Sequence, residues 1–295
     1  MQRAALAFFC AWVVCDVADA APSLAVERIA LHQFEDGPLL DSSYEFLPGE
    51  TAYFSCRLSG YQIRTLDDGR QDVKLSWRME VRDPMGALLE KPAQGRIDAE
   101  LFPEDTNWLP KFLRSFAVPP FAISGEYRIS VRVRDEITGG DPSGEVSGEL
   151  KFRVKGHAPH PSMGPFGELT AYNASFLSGE NDTLGTRSAV YHAGSTAWIR
   201  MDVSGYKFSD GVGEKNRFSI SFGMALETAD GKQLFSEADA GTQTDASFYP
   251  QRYSTGTLTL NLDQNMPAGA YTLVVTIRDK IGDQSYELRA PFRVE

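Results

Sequence analysis

Cysteine is scarce in this 295-residue sequence, which contains three, and two of them, Cys10 and Cys15, lie within the first twenty residues. Removal of that segment would leave Cys56 alone, and a single cysteine cannot form an internal disulfide. The alternation of apolar residues around Cys56 directs its side chain inward. We therefore expect a buried, unreactive thiol, in preference to a reactive cysteine or half of an intermolecular disulfide.

Long apolar runs are also missing, except at the N-terminus. Arg3 is followed there by an apolar segment, Ala4–Val14, which is too short to cross a bilayer as a helix. Ala18-Asp19-Ala20 then matches the small-residue cleavage site of a secretory signal peptide. The sequence predicts a signal peptide at residues 1–20 and a mature protein that is secreted or periplasmic, with no transmembrane segment.

Positive charge and catalytic motifs are both in short supply. The sequence has 29 Lys and Arg against 40 Asp and Glu, a net charge of -11. Nucleic acids and anionic membranes attract basic surfaces, so we expect neither as a partner. No nucleophile elbow, phosphate-binding loop, dinucleotide fingerprint or H-E-x-x-H motif is present. We predict that the protein is not an enzyme, has no catalytic residues, and uses no cofactor or metal.

Two patterns nevertheless raise the question of a metal ion. His157 and His160 are spaced as H-x-x-H, but no cysteine or carboxylate lies close to them in the sequence, so a solvated linker is favoured over a metal site. Acidic residues also cluster where strands end, and calcium binds such oxygens at domain junctions. The hydrogen bonds that Asp side chains make in turns explain most of them. Whether calcium binds near the domain junction is a question that the sequence leaves open. The clusters are Asp67-Asp68-Gly69, Asp210-Gly211, Asp135-Glu136 and Asp279.

An internal repeat organises the chain. The segment Gly49–Tyr61 returns, with substitutions, as Gly194–Tyr206, and three further blocks recur in the same order. Between the copies lies a segment rich in Pro and Gly, which breaks strands and helices. We predict one domain at residues 21–156, a semi-rigid linker at 157–166 and a second domain at 167–295. Each domain should fold alone, with few contacts between the two.

Apolar residues alternate with polar ones in both copies, and this period of two is typical of β-strands. One strand turns five apolar residues inward: Val73, Leu75, Trp77, Met79 and Val81. No long window has the period of a helix. Strands of this length between Gly, Pro and Asp turns predict an all-β chain of two tandem antiparallel β-sandwiches.

The order of a cysteine, a tryptophan and a tyrosine on successive predicted strands resembles that in bacterial-type secreted proteins with tandem immunoglobulin-like modules. Such modules include fibronectin-like and macroglobulin-like ones. Cys56 lies on a second strand and Trp77 on a third, and Tyr127 resembles a tyrosine corner. Ile129 stands where the second cysteine of an immunoglobulin domain would be. In the second copy the three core positions are Met201, Phe222 and Leu273. The resemblance implies the immunoglobulin-like fold and does not fix a function.

Aromatic residues supply the candidate binding site. Large rings gather in an irregular loop of the first copy and its counterpart in the second, and two more face outward from equivalent strands. They can stack on sugars or anchor a partner, or they can close the ends of the sandwiches. The candidates are Phe102, Trp108, Phe112, Tyr249, Tyr253, Tyr53 and Trp198.

The function that these observations predict is an exported, non-catalytic binding or adaptor protein of the cell envelope or the extracellular space. Its partner would be a protein or a glycan that the sequence does not identify. The first alternative is a carbohydrate-binding module that uses the aromatic loops. The second alternative is a hydrolase with an unrecognised pair of carboxylates.

Overall fold

The computed structural model describes residues 23–105, 107–137, 144–182, 184–186, 189–210 and 216–295. The predicted signal peptide, with Cys10 and Cys15, lies outside these residues, as does Gly211 of the second acidic turn. Over the described ranges the regular structure consists of β-strands and short 3₁₀ segments, among them a turn at Pro161–Met163. The same part of the chain contains no helix with the length and apolar character that a membrane crossing requires. The prediction of an all-β chain is confirmed.

The first half of the chain forms two sheets. One has the order β1-β3-β7, and the other has the order β2-β9-β8-β5-β4, with β6 paired to the other edge of β5. All these pairs are antiparallel except β2 with β9. The strands are β1 (Ala25–His32), β2 (Glu45–Phe46), β3 (Thr51–Ser59), β4 (Arg64–Thr65), β5 (Gln71–Arg82), β6 (Ala93–Leu101), β7 (Lys111–Ala117), β8 (Gly125–Asp135) and β9 (Glu145–Val154).

The second half repeats this order of strands. Its sheets are β10-β12-β16 and β11-β18-β17-β14-β13, with β15 paired to β14 as β6 is to β5. The short parallel pair also recurs, between β11 and β18. The strands are β10 (Thr170–Leu177), β11 (Val190–Tyr191), β12 (Thr196–Ser204), β13 (Ser209–Asp210), β14 (Asn216–Thr228), β15 (Gln233–Ser247), β16 (Tyr253–Asn261), β17 (Gly269–Asp279) and β18 (Gln284–Val294).

Each half has its own hydrophobic core between its two sheets, built from the inward positions that the period of two predicts. Trp77 is the exception on its strand, because it is only half-buried. Its indole lies flat on Phe112, with the ring centroids 4.3 Å apart. Gly95, opposite Trp77 on β6, leaves room for the indole, since a Cβ there would lie 2.5 Å from the ring. Trp77 therefore closes the margin of the core and does not fill its centre.

Tyr127 makes the hydrogen bond that defines a tyrosine corner. Its hydroxyl donates to the backbone oxygen of Ile123 at 2.9 Å, and Tyr271 donates to Pro267 at 2.8 Å in the second half. Tyr127 is fully buried, and burial raises its pKa to about 12. The feature implied by the resemblance is therefore present in both halves.

Cys56 is fully buried, as its place in the alternation predicts. Burial raises the pKa of its thiol to about 12, because the surrounding core solvates a thiolate poorly. The thiol is therefore protonated at physiological pH and makes part of the core.

The acidic strand ends are turn anchors. Asp135 accepts hydrogen bonds from the backbone N–H groups of Gln62 and Ile137, and Asp279 does the same for Lys207 and Ile281. Because these oxygens already satisfy the backbone of neighbouring turns, the turn interpretation is confirmed at both positions. Within the described ranges no three His, Cys, Asp or Glu side chains form a group that could hold a metal ion.

Candidate functional site

The aromatic loop of the first half is partly sealed. Phe102 is 58% exposed. Trp108 is half-buried and packs edge-on against Tyr61, with their centroids 5.8 Å apart. The Tyr61 hydroxyl donates to the backbone oxygen of Trp108 at 2.7 Å, which fixes the loop at that point. Phe102 thus presents its ring to solvent, while Trp108 presents only part of its own.

Two of the predicted binding residues lie inside the protein. Phe112 is 6% exposed beneath Trp77, and Tyr249 is 7% exposed within the core of the first half, although it belongs to the second half of the sequence. Neither ring can reach a ligand in solvent without rearrangement. In the sequence both lie in segments without regular alternation, so no pattern there identifies inward residues.

Tyr53 and Trp198 occupy equivalent positions on β3 and β12, and both are half-buried. Tyr53 lies between His32 and Ser115 in the sheet, and Trp198 lies between Leu177 and Thr259. They belong to different halves. The seven predicted aromatic residues therefore do not form one continuous surface.

The junction between the halves is tighter than the sequence suggests. Asp83 is buried in the turn after β5. Its carboxylate accepts a hydrogen bond from the Tyr249 hydroxyl at 3.0 Å and forms an ion pair with Arg252. Its other oxygen accepts from the backbone N–H groups of Met85 and Ala87. Burial raises the pKa of Tyr249, so its hydroxyl stays protonated and donates. The contacts between the halves thus include a buried, charged one that the sequence does not reveal.

The two linker histidines take part in the same junction. The His157 ring stacks on Tyr253, with centroids 3.8 Å apart, and the His160 ring stacks on Tyr172 at 4.1 Å. His157 Nε2 also lies 3.2 Å from the Tyr172 hydroxyl. The prediction of a solvated linker is therefore corrected. Tyr253 is a junction residue, and the stacked rings hold the linker against the second half.

A groove opens in the second half between two strands that each end a sheet. It lies between β15 and β16 and encloses about 770 Å³. Apolar side chains form most of its wall, with Glu237 and Asp263 among its polar lining residues. Leu234, at its margin, is 47% exposed. The apolar wall residues are Met224, Leu226, Leu258, Leu260 and Met266.

In the first half a leucine fills the equivalent space. Leu89, at the repeat position of Leu234, is 5% exposed, and its N–H donates to the Val81 oxygen. In the second half the pairing of β14 with β15 shifts register between Leu226 and Glu227, and this shift leaves Leu234 without a partner residue in the pairing. Leu234 therefore turns outward and leaves the groove open. The sequence does not reveal the groove, because a leucine stands at both positions.

No protein-family model matches this chain, and no curated protein matches it. Among solved structures, it is similar to the C-terminal domain of the antigen I/II polypeptide BspA of Streptococcus agalactiae, with 9% identity, a TM-score of 0.28, and 90% of this chain and 99% of that chain covered. It is also similar to the C-terminal domain of the antigen I/II-family protein AspA of Streptococcus pyogenes, with 8% identity, a TM-score of 0.28, and coverage of 94% and 98%. Such a TM-score does not establish a shared fold.

Proposed function

We propose that this chain is an exported, non-catalytic binding protein built from two immunoglobulin-like β-sandwiches, and that its second half takes an extended segment of a partner protein into the groove between β15 and β16. The groove is the observation that carries the proposal. A concave, mostly apolar site with a few polar groups at its margin is the usual form of a binding site. Export rests on the signal-like pattern of residues 1–20.

The groove favours a peptide in strand conformation because of its position between two edges. Among the described strands, β15 pairs only with β14, and β16 pairs only with β12. A free edge offers backbone N–H and C=O groups to an added strand, and alternate side chains of that strand can enter an adjacent apolar groove. The carboxylates of Glu237 and Asp263 favour basic residues in the positions between.

The two domains, 21–156 and 167–295 with the linker 157–166, would act as one rigid adaptor. The buried contact of Asp83 with Tyr249 and Arg252 opposes rotation between the halves. The stacked histidines of the linker oppose it further. A ligand held by the second half would then have a fixed orientation relative to the surface of the first half.

Carbohydrate binding by the aromatic loop is the second candidate function. The exposed ring of Phe102 favours it, because an exposed aromatic ring can stack on the apolar face of a sugar. Trp108 would contribute only the part of its indole that Tyr61 leaves uncovered.

The test is selection from a displayed library of random peptides on the full chain, followed by titration of the enriched peptides. We expect them to alternate apolar and basic residues, and we expect Phe235→Glu and Leu234→Glu to abolish their binding, because both side chains line the groove margin. Leu39→Glu is the matched control, since Leu39 is a similarly exposed leucine of the first half. Equal binding to the groove variants, or no enrichment on the unmodified chain, would contradict the proposal.

A further inference from the structure

The outer face of the larger sheet in the first half carries four arginines around a shallow concavity of about 610 Å³. Register brings them together. Arg78 on β5 lies directly opposite Arg132 on β8, and Ser76 lies between Arg96 on β6 and Arg134 on β8. In a protein with a net charge of -11, this is a concentration of positive charge on one open surface.

Nearby carboxylates neutralise this surface incompletely. Arg78 pairs with Glu80 at 2.9 Å, and Arg134 has only a loose contact with Glu145 at 3.8 Å. The guanidinium groups of Arg96 and Arg132 form no ion pair or hydrogen bond with any residue that the structure describes. Glu136, which also lines the concavity, already accepts a hydrogen bond from the Ser76 hydroxyl.

One nitrogen of Arg134 also lacks a hydrogen-bond partner. Its Nε is buried and has no hydrogen-bond partner among the described residues. A buried N–H without a partner costs about 1–3 kcal/mol, and native structures contain few of them. Like charges placed directly opposite on neighbouring strands, such as Arg78 and Arg132, are also destabilising. The face therefore keeps an arrangement that lowers the stability of the free protein.

The second half shows that the scaffold does not need these arginines. Gly223 stands in place of Arg78, Thr276 in place of Arg132, and Thr242 in place of Arg96, as the matching registers show. Only Arg278 is kept, at the position of Arg134, and its guanidinium donates to the Ala238 oxygen of β15 at 3.1 Å. In that half the irregular segment of β15 at Ala238 lies over the position of Arg78, since a Cβ on Gly223 would come within 2.8 Å of the Ala238 oxygen.

We propose that Arg78, Arg96, Arg132 and Arg134 bind an extended acidic ligand whose carboxylate or sulfate groups repeat along a chain, which in chemical terms is an acidic oligosaccharide. Guanidinium groups donate two parallel hydrogen bonds to such oxyanions. Arg96 and Arg134 stand two strand spacings apart, roughly 10 Å, which is wider than one small anion can bridge. The amide of Gln94 and the hydroxyl of Ser76 lie among them and suit sugar hydroxyls. This site is independent of the groove in the second half.

The experiment titrates the full chain by calorimetry with four probes: a heparin-derived hexasaccharide, a hexagalacturonate, the neutral maltohexaose and pyrophosphate. We expect one of the two acidic hexasaccharides to bind, more weakly as ionic strength rises, because salt screens exposed charges. The sulfated and the uronate probe distinguish the two anion chemistries. Maltohexaose should not bind, and pyrophosphate should bind far more weakly than the acidic hexasaccharide.

Variants locate the site. Arg96→Gln and Arg132→Gln should each weaken binding by about tenfold, the effect of one charge-assisted hydrogen bond. Both side chains are exposed, so the fold should be kept. Arg217→Gln, an exposed arginine of the second half, removes the same charge and should leave binding unchanged, as should Phe235→Glu in the groove. Unchanged binding in both arginine variants, no binding of either acidic hexasaccharide at low salt, or pyrophosphate binding as tight as theirs would overturn the proposal.

Discussion

Tyr249 of the second half donates its hydroxyl hydrogen bond to Asp83 of the first half, at 3.0 Å, inside the hydrophobic core that belongs to the first half. The two residues are 166 positions apart in the sequence. Arg252 adds its positive charge to the same carboxylate. The halves are thus joined by a buried, charged contact in addition to the linker, which makes their relative orientation part of the folded structure.

The first prediction concerns the charge of Asp83. Asp83→Asn keeps the shape of the side chain and an oxygen for the turn, but it leaves the buried Arg252 without its counter-ion. Removal of one partner from a buried ion pair costs about 3–5 kcal/mol, and we expect a loss near the lower end in the free energy of unfolding of the full chain in urea.

Glu126→Gln is the control for this measurement. Glu126 forms an exposed ion pair with Lys151 at 2.7 Å, and such pairs contribute little to stability because solvent screens them. If Asp83→Asn costs no more than Glu126→Gln, the junction does not hold the halves together in the way described.

The junction also shows where prediction from sequence ends. The strands on each side were predicted, because alternation is a local property that a single segment reveals. The partnership of Asp83 with Tyr249 depends on how two domains meet, and no periodicity encodes that. His157 was interpreted as a solvated residue for the same reason, since the ring of Tyr253 that covers it is remote in sequence.

The second prediction concerns the tyrosine corners. Tyr127→Phe and Tyr271→Phe each remove one hydrogen bond to a backbone oxygen and should each lower the free energy of unfolding by about 1 kcal/mol. Tyr53→Phe is the control, because the Tyr53 hydroxyl makes no hydrogen bond to a described residue. Urea denaturation measures all three. A cost in one half only would argue against equivalent roles of the two tyrosines in the two halves.

The third prediction concerns Trp108. Because its ring packs against Tyr61 and is half-buried, Trp108→Ala should lower the free energy of unfolding by about 2 kcal/mol, within the usual range for truncating an apolar side chain. Phe102→Ala, at an exposed ring in the same loop, should change it by less than about 0.5 kcal/mol. In the chain from residue 21 onward, which lacks Trp12, acrylamide should quench Trp108 partially when Trp77 and Trp198 are replaced by Phe. Equal stability effects of the two alanine variants would contradict this.

The fourth prediction concerns Cys56. The folded chain from residue 21 onward should not react with a thiol reagent at about pH 8, and it should react fully in denaturant, because only a thiolate attacks and the core holds this thiol protonated. The unfolded thiol ionises from about pH 8.5, whereas the folded pKa is about 12. The contribution of the buried, protonated Cys56 thiol to the free energy of unfolding is therefore complete below about pH 8.5, and it is lost as the pH rises toward 12. Rapid reaction of the native protein would show that Cys56 is exposed.

Cys56 and the two candidate surfaces differ in how far the sequence could identify them. The inward place of Cys56 follows from alternation alone. Leu89 and Leu234 are the same residue type at matched positions, so only a shift in strand pairing distinguishes a filled core from an open groove. The arginine face could have been predicted from the sequence. The outward-facing Arg78 has Gly223 as its counterpart in the second copy, and a comparison of outward-facing positions between the copies reveals this difference.

The last prediction is that residues 21–156 and 167–295 each fold when produced separately, and that the separate halves are less stable than the same halves in the full chain. Each half has two sheets and its own core, which favours independent folding. The first half alone would lose Tyr249 from its core and leave Asp83 without either side-chain partner, so it should unfold at a lower temperature. Thermal unfolding of the full chain and of both halves, followed by circular dichroism, measures this. In the full chain carrying Asp83→Asn, the unfolding temperature should move toward that of the separate halves, because the variant removes the ion pair with Arg252, which is one part of the same buried contact. If both halves are unfolded while the full chain is stable, they form a single cooperative unit, and the division into two domains is wrong.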